Sequence, residues 1–249
     1  MKLQLRVWRQ RRAEVAGAFE EYRVDDASPD MTVLEMLDRL NEDLAQRGLD
    51  PIAFDSDCRE GICGSCGITI DGVPHGPVAN VATCNQHVRS FVDGASVTLE
   101  PFRTGSFPVV RDLVVDRSAL DRLLTAGGFI SVDAGTAPDA DALATTHADA
   151  ERALDFAACI GCGACVAACP NGAAHLFAGA KLAHLAITGR GSSERGRRAL
   201  SIVNQLDAEF GPCSTHGECV AVCPASIPLT AIATVNRERL RASWHRRDD

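Results

Sequence analysis

The chain has 249 residues, 46% of them hydrophobic and 23% charged, enough apolar material for one large domain or two small ones, two being the expectation. Its formal net charge of -8 opposes a nucleic-acid role, which needs a basic face to neutralise phosphate. Eleven cysteines ask for a chemical explanation other than disulfides, because their count is odd, their spacings are tight, and Met1 leads straight into KLQLRVWRQRR without the apolar core of a secretory signal.

From Lys2 to Trp8 apolar Leu3, Leu5 and Val7 alternate with polar residues, the period of a half-buried strand, and Tyr22 to Val24 offers a partner. Thr32 then opens a helix whose apolar positions Val33, Leu34, Leu37, Leu40 and Leu44 recur at three and four, with Gly48 placed to end it. GITIDG and SVTLEP read as further strands, and Asp71-Gly72 as a hairpin turn. The fold class expected is α+β, with a small sheet domain over residues 1–105.

Beyond Phe107 the spacing turns helical, in DLVVDRSALDRLL, ADAERALDFAAC, AAHLFAGAKLAHLAI and PLTAIATVNRERLRASW, so residues 106–249 are expected to form an all-α domain. SVDAGTAPDADALATTHADA between these helices reads as an exposed connection. The basic stretch from Arg190 to Arg198 is read as a solvated loop rather than a binding patch. No apolar run approaches the roughly 20 residues that cross a bilayer, and any membrane attachment is expected to come from a partner.

The cysteines sort into three sets. Cys58, Cys63, Cys66 and Cys84 have the C-x4-C-x2-C…C spacing of plant-type 2Fe-2S sites. Gly61, Gly64 and Gly67 would let such a loop bring its N–H groups close to bridging sulfides. Zinc is the rival, but it prefers two separated C-x2-C pairs. Cys159, Cys162, Cys165 and Cys169, followed by Pro170, reproduce the C-x2-C-x2-C-x3-C-P run of cubane ferredoxins, in which the fourth cysteine serves the other of two clusters.

That second cluster emerges from an internal repeat: 54 residues on lie Cys213, His216, Cys219, Cys223 and Pro224. Crossing the ligands gives Cys159, Cys162, Cys165 and Cys223 to a 4Fe-4S cluster and leaves Cys169, Cys213 and Cys219. Three thiolates with a histidine at the fourth place suggest a 3Fe-4S cluster with an empty corner. His216 ligating a fourth iron is the alternative, against the commoner role of a hydrogen-bonding neighbour.

This order of motifs, a plant-type loop in an N-terminal β-grasp domain followed by the run at Cys159 and C-x5-C-x3-C-P at Cys213, resembles the iron-sulfur subunit of succinate dehydrogenase and fumarate reductase. FPVVRDLVVDRSALDRLL at the junction is also similar to that family's linker. The resemblance implies an electron-transfer subunit that passes electrons from FAD of a partner flavoprotein through 2Fe-2S, 4Fe-4S and 3Fe-4S clusters to a quinone. The dicarboxylate site would lie on the other chain and a hydrophobic anchor subunit would hold the complex at the cytoplasmic face of a bacterial cell membrane.

Two departures are visible. The gap between Cys66 and Cys84 is lengthened in DGVPHGPVAN, and NGAAHLF after Pro170 lacks the tryptophan that several members place at the quinone. His175, Ser214 and His216 are the candidates for polar groups near a quinone, with menaquinone the expectation. Arg59 and Arg89, near cluster cysteines, are read equally as tuning charges or as solvated side chains. Three other readings stay open: fumarate reduction in the reverse direction, a soluble multi-cluster carrier, and the iron-sulfur subunit of a different oxidoreductase.

Overall fold

A computed structural model describes residues 1–129, 145–188 and 192–245. The first half is a five-stranded sheet: β1 (Leu3–Arg9), β2 (Ala18–Val24), β3 (Ile68–Ile70), β4 (Val73–Pro74) and β5 (Ser96–Pro101), in the order β2-β1-β5-β3-β4. β1 pairs antiparallel with β2 (Leu5 opposite Tyr22) and parallel with β5 (Leu5 opposite Val97), and β3 runs antiparallel to β5. Strict alternation puts Leu3, Leu5 and Val7 on the inner face, where each is at most 2% exposed.

Against that face lies α1 (Val33–Gln46), whose Leu34, Met36 and Leu37 join the same core. Thr32 starts it with a complete capping box: its hydroxyl accepts from the Glu35 N–H and the Glu35 carboxylate accepts from the Thr32 N–H. The helix begins where the sequence indicates because two backbone donors are satisfied there at once.

The junction departs from expectation. DLVVDRSALDRLL is not one helix: β6 (Val109–Arg111) and β7 (Val114–Val115) make a hairpin, and only α2 (Ser118–Leu123) is α-helical, continuing into one wider turn over Leu124–Gly128. Asp112 adopts φ +46° at the hairpin turn, and its carboxylate accepts from the N–H groups of Gln10 (2.8 Å) and Ala53 (2.9 Å). Two long-range hydrogen bonds and four β-branched valines outweigh a helical spacing of apolar residues.

The second half is helical: α3 (His147–Ala157), α4 (Ala164–Ala167), α5 (His175–Thr188), α6 (Ser192–Glu209), α7 (Glu218–Ala221) and α8 (Thr230–His245). α5 is its axis. Leu176, Phe177, Ala178, Ala180, Leu182 and Ala183 are buried round most of its circumference, as befits a helix covered by α3, α6 and α8.

The basic stretch is corrected here. From Ser192 onward it is the start of α6, and Arg195 and Arg198 are 25% and 10% exposed. Arg195 pairs with the buried Glu238 of α8, while Arg198 donates to the Gly127 carbonyl (2.6 Å) and pairs with Glu194 (2.6 Å). Charge runs look solvated in a sequence, but here opposing acids and orphan carbonyls draw them inward. Arg190, and most of the acidic connection before α3, lie outside the described residues. Among those residues no helix is long and apolar enough to cross a membrane.

Candidate metal centres

The first thiol set occupies an irregular loop between α1 and β3, completed by Cys84 on a 3-10 turn (Thr83–Asn85). The loop wraps inward round its own sulfurs. The N–H groups of Glu60, Ile62 and Cys63 donate to Cys58 Sγ at 3.3, 3.4 and 3.3 Å, and the Gly61 N–H donates to Cys84 Sγ at 3.2 Å. Backbone donors converging on sulfur stabilise negative charge there, which suits thiolate ligands of a cluster.

Cys66 and Cys84 are buried while Cys58 and Cys63 are half-exposed. Burial pushes the Cys66 thiol up to about 12. For Cys63, burial raises the pKa too, but hydrogen bonds from Ser65 and Cys58 win and bring it down to about 7. A thiol binds metal as its thiolate, so metal loading at such a site releases protons. Arg59 and Arg89 are engaged: Arg59 pairs with Asp38 at 2.5 Å, and Arg89 with Asp30 at 2.6 Å.

Cys159, Cys162, Cys165 and Cys223 border one hollow, closed on the apolar side by Leu176, Phe177 and Ile227. The internal repeat is visible in three dimensions: α4 and α7 are four-residue helices with an offset of 54, each preceded by a glycine, Gly163 at φ +86° and Gly217 at φ +92°. Burial pushes the Cys162 thiol up to about 12 and the Cys165 thiol well above its ordinary value, the latter reinforced by the other thiols. Lys181 reaches in from α5 and donates to the Cys159 carbonyl at 3.2 Å.

Cys169, Cys213 and Cys219 border a second hollow, together with His175, Ser214, Thr215 and His216. Ser214 and His216 are exposed and His175 is half-buried. Nδ1 of His175 is buried without a partner among the described residues, and burial lowers its pKa, partly offset by Asp207. Asn171 ties the two cysteine-bearing loops, donating from Nδ2 to the Pro212 carbonyl and to Ser214 Oγ, both at 2.9 Å.

The donor chemistry fits clusters better than a lone ion. In the helical half the thiols line two hollows, and thiols are the donor set that iron-sulfur clusters take. Three residues that sequence reasoning passed over stand close to these rings: Arg117, Asn171 and Lys181. None carries a motif; only the single residue separating Asn171 from Cys169 would have drawn attention to it.

Two family models match the chain: one described as a 2Fe-2S iron-sulfur cluster binding domain over residues 4–122, the other as a 4Fe-4S dicluster domain over residues 158–227. The succinate dehydrogenase iron-sulfur subunit of Bacillus subtilis is 30% identical over 197 residues, 76% of this chain and 72% of that one. The fumarate reductase iron-sulfur subunit of Escherichia coli is 30% identical over 221 residues, 87% and 83% respectively. A chain of the Mycobacterium smegmatis Sdh1 complex in the apo form shares the fold, with a TM-score of 0.63 at 23% identity and 96% of each chain covered.

Proposed function

Since the chain belongs to the family of succinate dehydrogenase and fumarate reductase iron-sulfur subunits, we propose that it carries electrons in a succinate dehydrogenase, from FAD of a partner flavoprotein to a quinone. The quinone of this reading is menaquinone. A β-grasp domain over residues 1–105 holds 2Fe-2S through Cys58, Cys63, Cys66 and Cys84. The helical domain over residues 106–249 holds 4Fe-4S through Cys159, Cys162, Cys165 and Cys223, and 3Fe-4S through Cys169, Cys213 and Cys219.

The observation that carries this reading is the grouping of the cysteines: backbone N–H groups converge on Cys58 and Cys84 in the first loop, and two hollows of the helical half are lined by Cys159, Cys162, Cys165 and Cys223 and by Cys169, Cys213 and Cys219. When bound, the clusters supply one-electron redox chemistry. The chain's part is to hold them with thiolates, to place N–H donors on the sulfurs, and to line the hollow at Cys159, Cys162, Cys165 and Cys223 with apolar Leu176, Phe177 and Ile227. Lower polarity and fewer hydrogen bonds favour the less charged oxidised state, and donors favour the reduced one, so each lining sets a different potential.

The rim of the hollow at Cys169, Cys213 and Cys219, with exposed Ser214 and His216 and half-buried His175, is where this reading puts the quinone. Ile62, 66% exposed beside Cys63, belongs on this reading to the face that meets the flavoprotein. A hydrophobic anchor subunit would hold the chain peripherally at the cytoplasmic face of the membrane. Fumarate reduction would use the same residues in the reverse direction.

Iron and acid-labile sulfide analysis of the purified complex, with redox-titrated EPR, tests the reading. Three separate signals are expected, one of them a three-iron signal in the oxidised protein. Colourless protein with zinc would overturn it. In His216→Cys a fourth thiolate faces the vacant corner, and the three-iron signal should give way to a four-iron one. Succinate:quinone activity measured both ways decides direction.

A further inference from the structure

We propose that Arg117 is a positioning residue that locks the first cluster loop against the second and places one positive charge between them. The inference rests on the cluster assignment above. Arg117 stands just before α2, half-buried, and its side chain caps nothing in its own helix. Its guanidinium instead bridges two loops far apart in sequence. Nη1 donates to the Gly64 carbonyl at 2.5 Å and to the Cys162 carbonyl at 2.8 Å, and Nη2 reaches the Ser65 carbonyl at 3.5 Å.

Gly64 and Ser65 lie between the ligands Cys63 and Cys66, and Cys162 is itself a ligand of the second set. One planar guanidinium therefore holds both loops by their backbones, and its rigid donor directions fix their relative orientation as the freely rotating ammonium of a lysine, on a flexible stem, does not. Every hydrogen bond of the guanidinium among the described residues goes to a carbonyl. The charge is left to act on whatever negative charge the two thiol rings carry.

The loops are as close as backbone allows. A Cβ on Gly64, which has φ +73°, would sit 2.4 Å from the Ile160 carbonyl oxygen and 3.1 Å from the Cys162 nitrogen, so any side chain there forces the loops apart. A cleft of about 310 Å³ opens beside this contact, lined by Cys63 of the first ring and Cys159 of the second, with Arg117 and Lys181 in its walls. The two rings thus share a wall, in which the cations Arg117 and Lys181 outnumber the single carboxylate of Asp121.

Two effects follow. A positive charge near both rings favours the reduced, more negative state of each, raising both potentials relative to the third centre, which Arg117 does not touch. The clamp also fixes the separation and relative orientation of the first two centres, on which their magnetic coupling and electron exchange depend.

The test is redox-titrated EPR of the purified complex carrying Arg117→Met or Arg117→Lys. In Arg117→Met the midpoint potentials of the first and second centres should fall while the third keeps its own. No shift, or an equal shift of all three, overturns the proposal. Should Arg117→Met not assemble, Arg117→Lys decides: charge is kept, so the potentials should stay near wild type, but the spin coupling between the first two centres should weaken. Unchanged coupling in Arg117→Lys overturns the clamp. Loss of the wild-type signals themselves, or zinc in place of iron, would refute the cluster reading and is seen before any variant is made.

Discussion

His75 is a polar residue held where water is absent, being 1% exposed. Its Nδ1 accepts from the Thr83 N–H at 3.1 Å and contacts the Thr83 hydroxyl at 3.0 Å, which assigns its proton to Nε2. Phe102 stacks edge-on at 5.2 Å. Burial, with the Arg117 charge adding to it, lowers the pKa to about 4. The unfolded chain protonates this ring near its ordinary value of about 6.5 and the folded one does not. Below that value the unfolded state binds the extra proton, so stability is lost as pH falls from about 6.5 to about 4 and is fully present above. The linkage amounts to about 2 kcal/mol by pH 5. His75→Gln should unfold in urea with a midpoint that changes less than wild type between pH 7 and pH 5; parallel curves would show that His75 is not the group responsible.

At the scale of elements, the third thiol ring depends on two loops passing in close contact. Gly211, just after α6, has no space for a side chain: a Cβ would lie 1.7 Å from the Asn171 carbonyl oxygen. Gly211→Ala must push apart the segments bearing Cys169 and Cys213. The expected result is selective loss of the three-iron signal and of the matching share of iron, with the other two centres retained. Asn171→Ala removes the two 2.9 Å bonds but keeps the close approach, so it should loosen the ring at a cost of about 1–3 kcal/mol without emptying it. Equal iron loss in both variants would mean that the hydrogen bonds, and not the space, hold the loops.

Elements differ in how far they could be read in advance, for physical reasons. α1 was legible because amphipathic period, capping box and terminal glycine coincide within 17 residues. The thiols of each helical-half set meet round a hollow, and the close spacing within each run that brings them together is a local property. The β6–β7 hairpin was not legible, since Asp112 finds its partners 102 and 59 residues away, and no local pattern encodes such contacts. Arg117, 53 and 45 residues from its acceptors, was hidden for the same cause. α6 was misread at its start because charges paired across helices look, in sequence, like charges paired with water.

For the molecule as a whole, the two cores are not cleanly separable. Leu113 packs in the first core and Phe102 in the second, so the chain passes back across the junction near Gly105 before entering the helical half. Ser226 on the far side meets Asn80 of the long loop before Cys84 at 2.9 Å. Asp112 pins this arrangement: besides the two N–H groups it holds Arg9 at 3.3 Å, and it is 2% exposed. Asp112→Ala leaves the Gln10 and Ala53 N–H groups without their acceptor, each costing about 1–3 kcal/mol, and takes from Arg9 its Nε partner while its bonds to Tyr22, Asp50 and Pro51 remain. The loss falls where the β6–β7 hairpin is fastened to the sheet half. Calorimetry of the wild-type complex should therefore show this chain melting in one transition, while Asp112→Ala splits it, the sheet half unfolding first because it loses the hairpin that closes it. A single transition displaced downward in the variant would mean that the Arg117 clamp and the Ser226–Asn80 contact suffice to keep the halves cooperative without Asp112.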